Sequence, residues 1–184
     1  MTICLATTDR EIEEIRDLQE VNLKENVTAE NRLSDGFLTA KYELDFLKAM
    51  HNLTPAIIAK QDDAVVGYAL ATDKSLLSSH PLLNDLSCQI NKISFKKKTI
   101  GDFNYLVVGQ LCVAKEFRGQ GVAQQLYFHF KKVYKNRYPF AVTDVDQKNN
   151  ASLGMHSKVG FKTLSTLNYG ESSWNVVVLD WEDA

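Results

Sequence analysis

Residues 105–123 constrain this chain more than any other stretch. Residues 105–113 (Tyr-Leu-Val-Val-Gly-Gln-Leu-Cys-Val) read as an apolar strand. A four-residue charged turn then leads to Arg118, Gly119, Gln120, Gly121, Val122 and Ala123, and the spacing predicts an amphipathic helix over residues 122–135. A strand that hands a glycine turn to a helix N-terminus gathers unpaired backbone N–H groups and the positive helix end at one point. Such a point suits a phosphate or diphosphate. Gly119 and Gly121 allow close approach and positive φ, and Arg118 adds a cation beside them. The plain alternative is a tight strand-to-helix connection. Two familiar phosphate loops do not fit. A P-loop needs Lys followed by Ser or Thr after its last glycine, where Val122 and Ala123 stand. A dinucleotide fingerprint needs a third glycine where Gln124 stands, and starts directly off its strand. Asp144, at the end of the next strand, keeps a ribose-binding acid and hence a dinucleotide reading open.

A chain of 184 residues suits one domain, taken as 1–184, with a core of its own. The net charge of −2 gives no general attraction to nucleic acid, and Lys96, Lys97 and Lys98 read as a solvated loop. Three cysteines, Cys4, Cys88 and Cys112, make neither a disulfide framework nor a zinc site, so no metal is expected and a reducing cytoplasm is. The longest apolar run, residues 176–179, is too short to span a bilayer, and residues 1–10 lack the pattern of an export signal.

Taken in order, residues 3–7 predict a short strand. Asp9 is the expected cap of a helix over residues 11–24, with Ile12, Ile15 and Leu18 on one face. Periodicity lapses over residues 26–38. Thr39 then predicts the cap of a second helix over residues 40–51. Residues 56–61 and 64–71, joined by Asp62 and Asp63, predict a hairpin. In the weakly patterned stretch 73–104, a helix is expected over residues 81–90 and a polar excursion over 91–101. A strand at 140–145, a helix at 151–158 closed by Gly160, a strand at 161–168, a turn at 169–173 and a last strand at 174–181 complete the chain. The order β-α-α-β-β-(irregular)-β-α-β-α-β-β predicts one α/β domain on a mixed sheet.

Downstream of the glycine turn lie Asn149, Ala151, Lys158, Gly160 and Phe161. Together with Arg118, Gly121 and Ala123, this pattern resembles the GNAT N-acetyltransferase superfamily, with His156 standing where that family carries a tyrosine. The resemblance spans residues 110–161. It implies an α+β fold with a mixed, mostly antiparallel sheet flanked by helices, whose fourth and fifth strands splay apart. It also implies acetyl-CoA as cosubstrate and direct transfer of the acetyl group to a primary amine of a small molecule or peptide. On this reading Leu111, Cys112 and Val113 pair with the pantetheine arm. The amides of Gly119, Gln120, Gly121, Val122 and Ala123 hold the diphosphate beside Arg118, and Asn149 and Ser152 touch the cofactor. An N–H near Cys112 or Val113 would face the oxyanion, and His156 would protonate the leaving thiolate.

Bland alternatives stand beside these roles: packing for Cys112 and His156, a turn or cap for Asn149 and Ser152, and structural roles for Lys158 and Phe161. The general base is not readable from the chain. Asp144 and Asp146 are candidates against a capping role, with Glu43 and His80 further off; Gln110 is excluded because an amide takes no proton near neutrality. Phe37, Leu38 and Tyr42 are expected to line the acceptor pocket or to pack. The rival class is a module of the same fold that binds acyl-CoA as a sensor without turnover. The final strands offer an edge through which a homodimer could form.

Overall fold

The computed structural model describes residues 1–169 and 172–182. Strand β1 (Thr2–Leu5) leads into helix α1 (Asp9–Asn22). Thr8, not Asp9, is the cap: its side chain accepts from Glu11 N–H while the Glu11 carboxylate accepts from Thr8 N–H, a reciprocal box that Asp9 has no partner to form. The aperiodic stretch that follows contains a short helix, α2 (Ala29–Asp35), capped by Thr28 and closed by Gly36 at φ +78°.

Helix α3 (Leu44–Leu53) begins four residues later than the expected one and is not capped by Thr39. Residues 36–43 instead form an extended strap. The Leu38 N–H donates to Asn22 O, and the Gln110 amide donates to Ala40 O. The fully buried Gln19 amide exchanges both its hydrogen bonds with the backbone of Tyr42, each at 2.9 Å. Those partners take the backbone groups that a helix over residues 40–43 would use.

Strands β2 (Ile57–Gln61) and β3 (Ala64–Asp73) form the expected hairpin, with Asp62 and Asp63 both at positive φ as a two-residue turn requires. Helix α4 (Pro81–Ile90) is present as predicted. The polar excursion is a miniature hairpin, β4 (Ser94–Phe95) and β5 (Lys98–Thr99), anchored by Phe95 against Phe140. Lys96 at its tip is not merely solvated, since it bridges Asp180 at 2.6 Å and Glu182 at 2.7 Å.

Next come β6 (Leu106–Val113), α5 (Val122–Tyr134), β7 (Phe140–Asp146), α6 (Asn150–Lys158), β8 (Lys162–Tyr169) and β9 (Ser172–Asp180). Of the turn expected at 169–173, residues 169, 172 and 173 belong to β8 and β9 instead, and residues 170 and 171 lie outside the described residues. The sheet has seven strands in the order β1-β2-β3-β6-β7-β9-β8, antiparallel except for β6 and β7. Its two faces bury separate cores. Ile12, Ile15, Leu47 and Met50 from α1 and α3 cover one, and Leu126, Tyr127 and Phe130 from α5 cover the other. Among the described residues no helix is long and apolar enough to cross a membrane.

Candidate functional site

The single parallel pair is where the sheet opens. Strands β6 and β7 are in register only at Leu106 with Ala141 and Val107 with Val142. Beyond that the Thr143 hydroxyl donates to Val108 O at 2.9 Å, and the strands then part. β6 stays paired with β3 along its whole length, so only one of its edges is left open. The N–H of Ala114 donates to Val66 O, which fixes the alternation. Cys112 therefore points its N–H toward β3, and Leu111 and Val113 point theirs into the gap. Of the two N–H groups expected to face the oxyanion, that of Val113 points into the gap and that of Cys112 does not. A bulge at Gly109 sets this phase, and a Cβ there would lie 2.8 Å from Thr72 Oγ1 and 3.0 Å from Met50 Cε.

A cleft of about 770 Å³ fills the gap and passes through the sheet. At one end lies the glycine turn. Gly119 has φ +73°, and Gly121 has φ +78° and precedes α5 in the left-handed conformation. A Cβ built on either would meet nothing within 4 Å. The space above these amides is therefore open, and the first-turn N–H groups of α5 face it without a side-chain cap. Val122 and Ala123 line the cleft, whereas the Gln120 side chain folds back onto Glu116 O at 2.8 Å.

Arg118 lines the cleft but does not offer a free charge. Its guanidinium donates to Val113 O and Asn22 Oδ1 and lies 3.3 Å from the Asp35 carboxylate. It clamps the glycine turn to the ends of α1, α2 and β6. Asn149 is likewise committed. It caps α6 by accepting from Ser152 N–H and donates to Phe37 O at 2.9 Å. Gly36 packs so closely on it that a Cβ would stand 2.8 Å from Asn149 Oδ1. Strap and helix α6 are thus locked together, bringing Phe37, Leu38 and Tyr42 to the cleft wall. Tyr42 is buried and donates to Gly109 O at 3.0 Å.

His156 lies at the cleft wall on the inner side of α6, 5% exposed. Its Nδ1 is 2.8 Å from Ser152 O, a contact only an N–H can make, so Nε2 accepts from the Tyr127 hydroxyl at 2.9 Å. Burial disfavours the imidazolium and pulls the pKa down to about 4. His156 is therefore neutral near pH 7, with both nitrogens engaged. The Ser152 hydroxyl adds a 3.2 Å contact to Nδ1.

Asp144 lies across the cleft, on the splayed part of β7, and is half-buried. Burial raises its carboxyl pKa to about 6, and among the described residues its carboxylate accepts a hydrogen bond from its own backbone N–H alone. It sits near enough to Tyr42 to push that phenol further up. The other acids and bases separate from it. Asp146 is buried, accepts from Lys148 N–H at 2.8 Å and pairs with Lys24 at 3.7 Å, a loop-capping arrangement. Glu43 and His80 do not line the cleft, and His80 packs on Tyr42 and Phe46. Burial pushes the Cys112 thiol up to about 12, so it is no nucleophile near neutrality. Lys158 lines the cleft, and Phe161 packs beside Tyr127 and His156.

Several lining residues carry no signal in the sequence. Helix α4 was legible from its apolar spacing, but nothing in that spacing indicates that Leu82, Leu83, Asp85 and Leu86 border the cleft. Trp174 of β9 does so as well.

The family model described as acetyltransferase (GNAT) family matches residues 19–161. No curated protein matches the sequence. The fold is shared with solved acetyltransferases at low identity. A GNAT-family acetyltransferase from Streptococcus agalactiae is 18% identical, with a TM-score of 0.64 over 97% of this chain and 94% of that one. The ribosomal-protein-alanine N-acetyltransferase of Brucella melitensis is 16% identical, with a TM-score of 0.64 over 98% and 99%. The yncA protein of Salmonella typhimurium, solved with acetyl-CoA as its cofactor, is 16% identical, with a TM-score of 0.63 over 98% and 93%.

Proposed function

The chain belongs to the GNAT acetyltransferase family, and on that premise we propose that it moves the acetyl group of acetyl-CoA directly onto a primary amine. The observation that carries this is the open edge of β6 running into an uncapped, glycine-lined helix N-terminus. The cofactor fits that edge physically. The amides of residues 119–123 take the diphosphate where a side chain would otherwise intrude, and Val113 N–H pairs with the pantetheine arm. Leu111 N–H, the next inward-pointing donor toward the apex, receives the oxyanion.

Asp144 is the general base in this reading. Ionised above about pH 6 and facing the cleft, it takes one proton from the bound ammonium. The freed nitrogen pair then attacks the thioester carbon, an N–C bond forms and the C–S bond breaks, and sulfur leaves with its electron pair. The second N–H proton lost from nitrogen balances the protonation of that thiolate, so the net products are amide, CoA thiol and one proton. In this reading His156, on the cleft wall, serves the leaving thiolate. To donate to sulfur it must exchange its bond to Ser152 O for one to sulfur.

That engagement of both His156 nitrogens favours the rival reading, an acyl-CoA sensor of the same fold. The two are separated by a thiol-release assay over a panel of primary amines and short peptides, with calorimetry on acetyl-CoA and the His156→Phe variant alongside. Acetyl transfer predicts amine-dependent thiol release. Tight acetyl-CoA binding with no release from any amine would establish the sensor instead.

A further inference from the structure

The charges that line the cleft are unevenly distributed. Four carboxylates line the cleft. Asp35 is paired with Arg118, and Asp146 is held by Lys24 and Lys148 N–H. Asp85 and Asp144 have no cation at ion-pair distance among the described residues. The cations that line the cleft, Arg118 and Lys158, come from the glycine turn and α6, away from α4 and the strap.

Asp144 is half-buried at the depth where the strands part, and Asp85 is exposed on α4 at the mouth. The rest of the cleft wall that α4 supplies is aliphatic. Leu83 and Leu86 are buried, and Leu82, one helical turn before Asp85, is 49% exposed although it borders the cleft. An exposed large apolar side chain beside an unpaired carboxylate suits a ligand with an apolar stem and a positive end.

We propose that the acceptor is a small diamine-like molecule: a primary amine that reacts at Asp144, an alkyl stem lying along Leu82 and Leu86, and a second cationic nitrogen at Asp85. This inference rests on the acetyl-transfer reading. A monoamine of the same length leaves Asp85 unmatched. An ω-amino acid places a second carboxylate against it, and near-contact repulsion of like charges then acts against binding.

The test is steady-state thiol release with purified full-length protein and saturating acetyl-CoA, over α,ω-diamines of increasing length, matched n-alkylamines, matched ω-amino acids and short peptides. The expected kcat/KM for the best diamine exceeds that of its matched monoamine by about tenfold, with the amino acid poorest. Asp85→Asn should erase most of that ratio through a raised KM for the diamine, and Asp85→Lys should shift preference to the amino acid. Because Asp85 is exposed, these variants should fold, and an unaltered melting temperature checks it. Equal use of diamine and monoamine, a ratio indifferent to Asp85→Asn, or a peptide used better than any diamine overturns the acceptor class alone. Acetyl-CoA binding without turnover of any amine overturns the acetyl-transfer reading, and this one with it.

Discussion

Thr143 Oγ donates a 2.9 Å hydrogen bond to Val108 O one residue beyond the last backbone pair between β6 and β7. Both residues are buried. A side chain thus supplies the link that a continuing parallel ladder would have supplied, and the strands diverge from there. Thr143→Val keeps the shape and removes the donor, leaving the Val108 carbonyl buried without its partner. The expected loss is about 1–3 kcal/mol of stability, read as a shift in the urea midpoint, with Thr143→Ser retaining most of it. An unchanged midpoint for the valine variant would show that the apex does not depend on this bond.

The glycine turn gives a second prediction. Gly121 is in the left-handed region at φ +78°, but nothing lies within 4 Å of where its Cβ would be. Gly121→Ala is therefore a conformational insult and not a steric one, costing about 1–2 kcal/mol. Gly154 offers the matching control, since its Cβ position is equally open but the residue sits in helix α6. Gly154→Ala should stabilise by about 0.5–1 kcal/mol. Thermal melts of the two variants should move in opposite directions, and movement in the same direction contradicts the assignment of strain to the turn.

These two features differ in how far the sequence discloses them. The glycine turn was legible because Gly119 and Gly121 are local signals, set between an apolar strand and a periodic helix. Splayed strands were implied by resemblance to a family, whereas Thr143, which fastens their apex, is one of several threonines with no local mark. The strap was misread as helix because Leu44, Leu47 and Met50 do have helical spacing. What delays the helix is tertiary: the Gln19 and Gln110 amides, distant in sequence, take up backbone groups of residues 40–42. Arg118 is expected beside the diphosphate from its charge and its place in the loop motif. Its actual partners, Asn22 and Asp35, lie far away in the chain and could not be read from the motif.

His156 links stability to pH. Its pKa is about 4 in the folded protein against an ordinary value of about 6.5. The unfolded chain therefore binds the extra proton first, so this contribution to stability is present above about pH 6.5 and is lost as pH falls through 4. The size of the effect is up to about 3 kcal/mol. His156→Gln should be destabilised at pH 7, where it loses the Tyr127 hydrogen bond, yet its stability should fall less between pH 6.5 and 4.5 than that of the wild type. Parallel pH profiles for the two proteins would place the titrating group elsewhere.

Asp144 runs the other way, and the contrast makes it the sharpest test of the proposed chemistry. Its carboxyl ionises near 6 in the folded protein, against 3.8 for the free side chain, because burial disfavours the charged form. The folded state holds that proton longer, so between about pH 3.8 and 6 this group makes stability decline as pH rises. At pH 7 the buried charge costs the fold up to about 3 kcal/mol. Asp144→Asn removes the charge with little change in volume. The variant should therefore be more stable than wild type at pH 7 by about 1–3 kcal/mol and nearly equal to it at pH 4. If Asp144 takes the ammonium proton, the same variant should lose about 10²–10⁴-fold in kcat. The acid limb of kcat/KM near pH 6 should vanish with it, while acetyl-CoA affinity stays within a few-fold. A stabilised variant with wild-type turnover would leave Asp144 as a carboxylate that merely happens to face the cleft, and the base would have to be sought in the acceptor's own equilibrium with its neutral form.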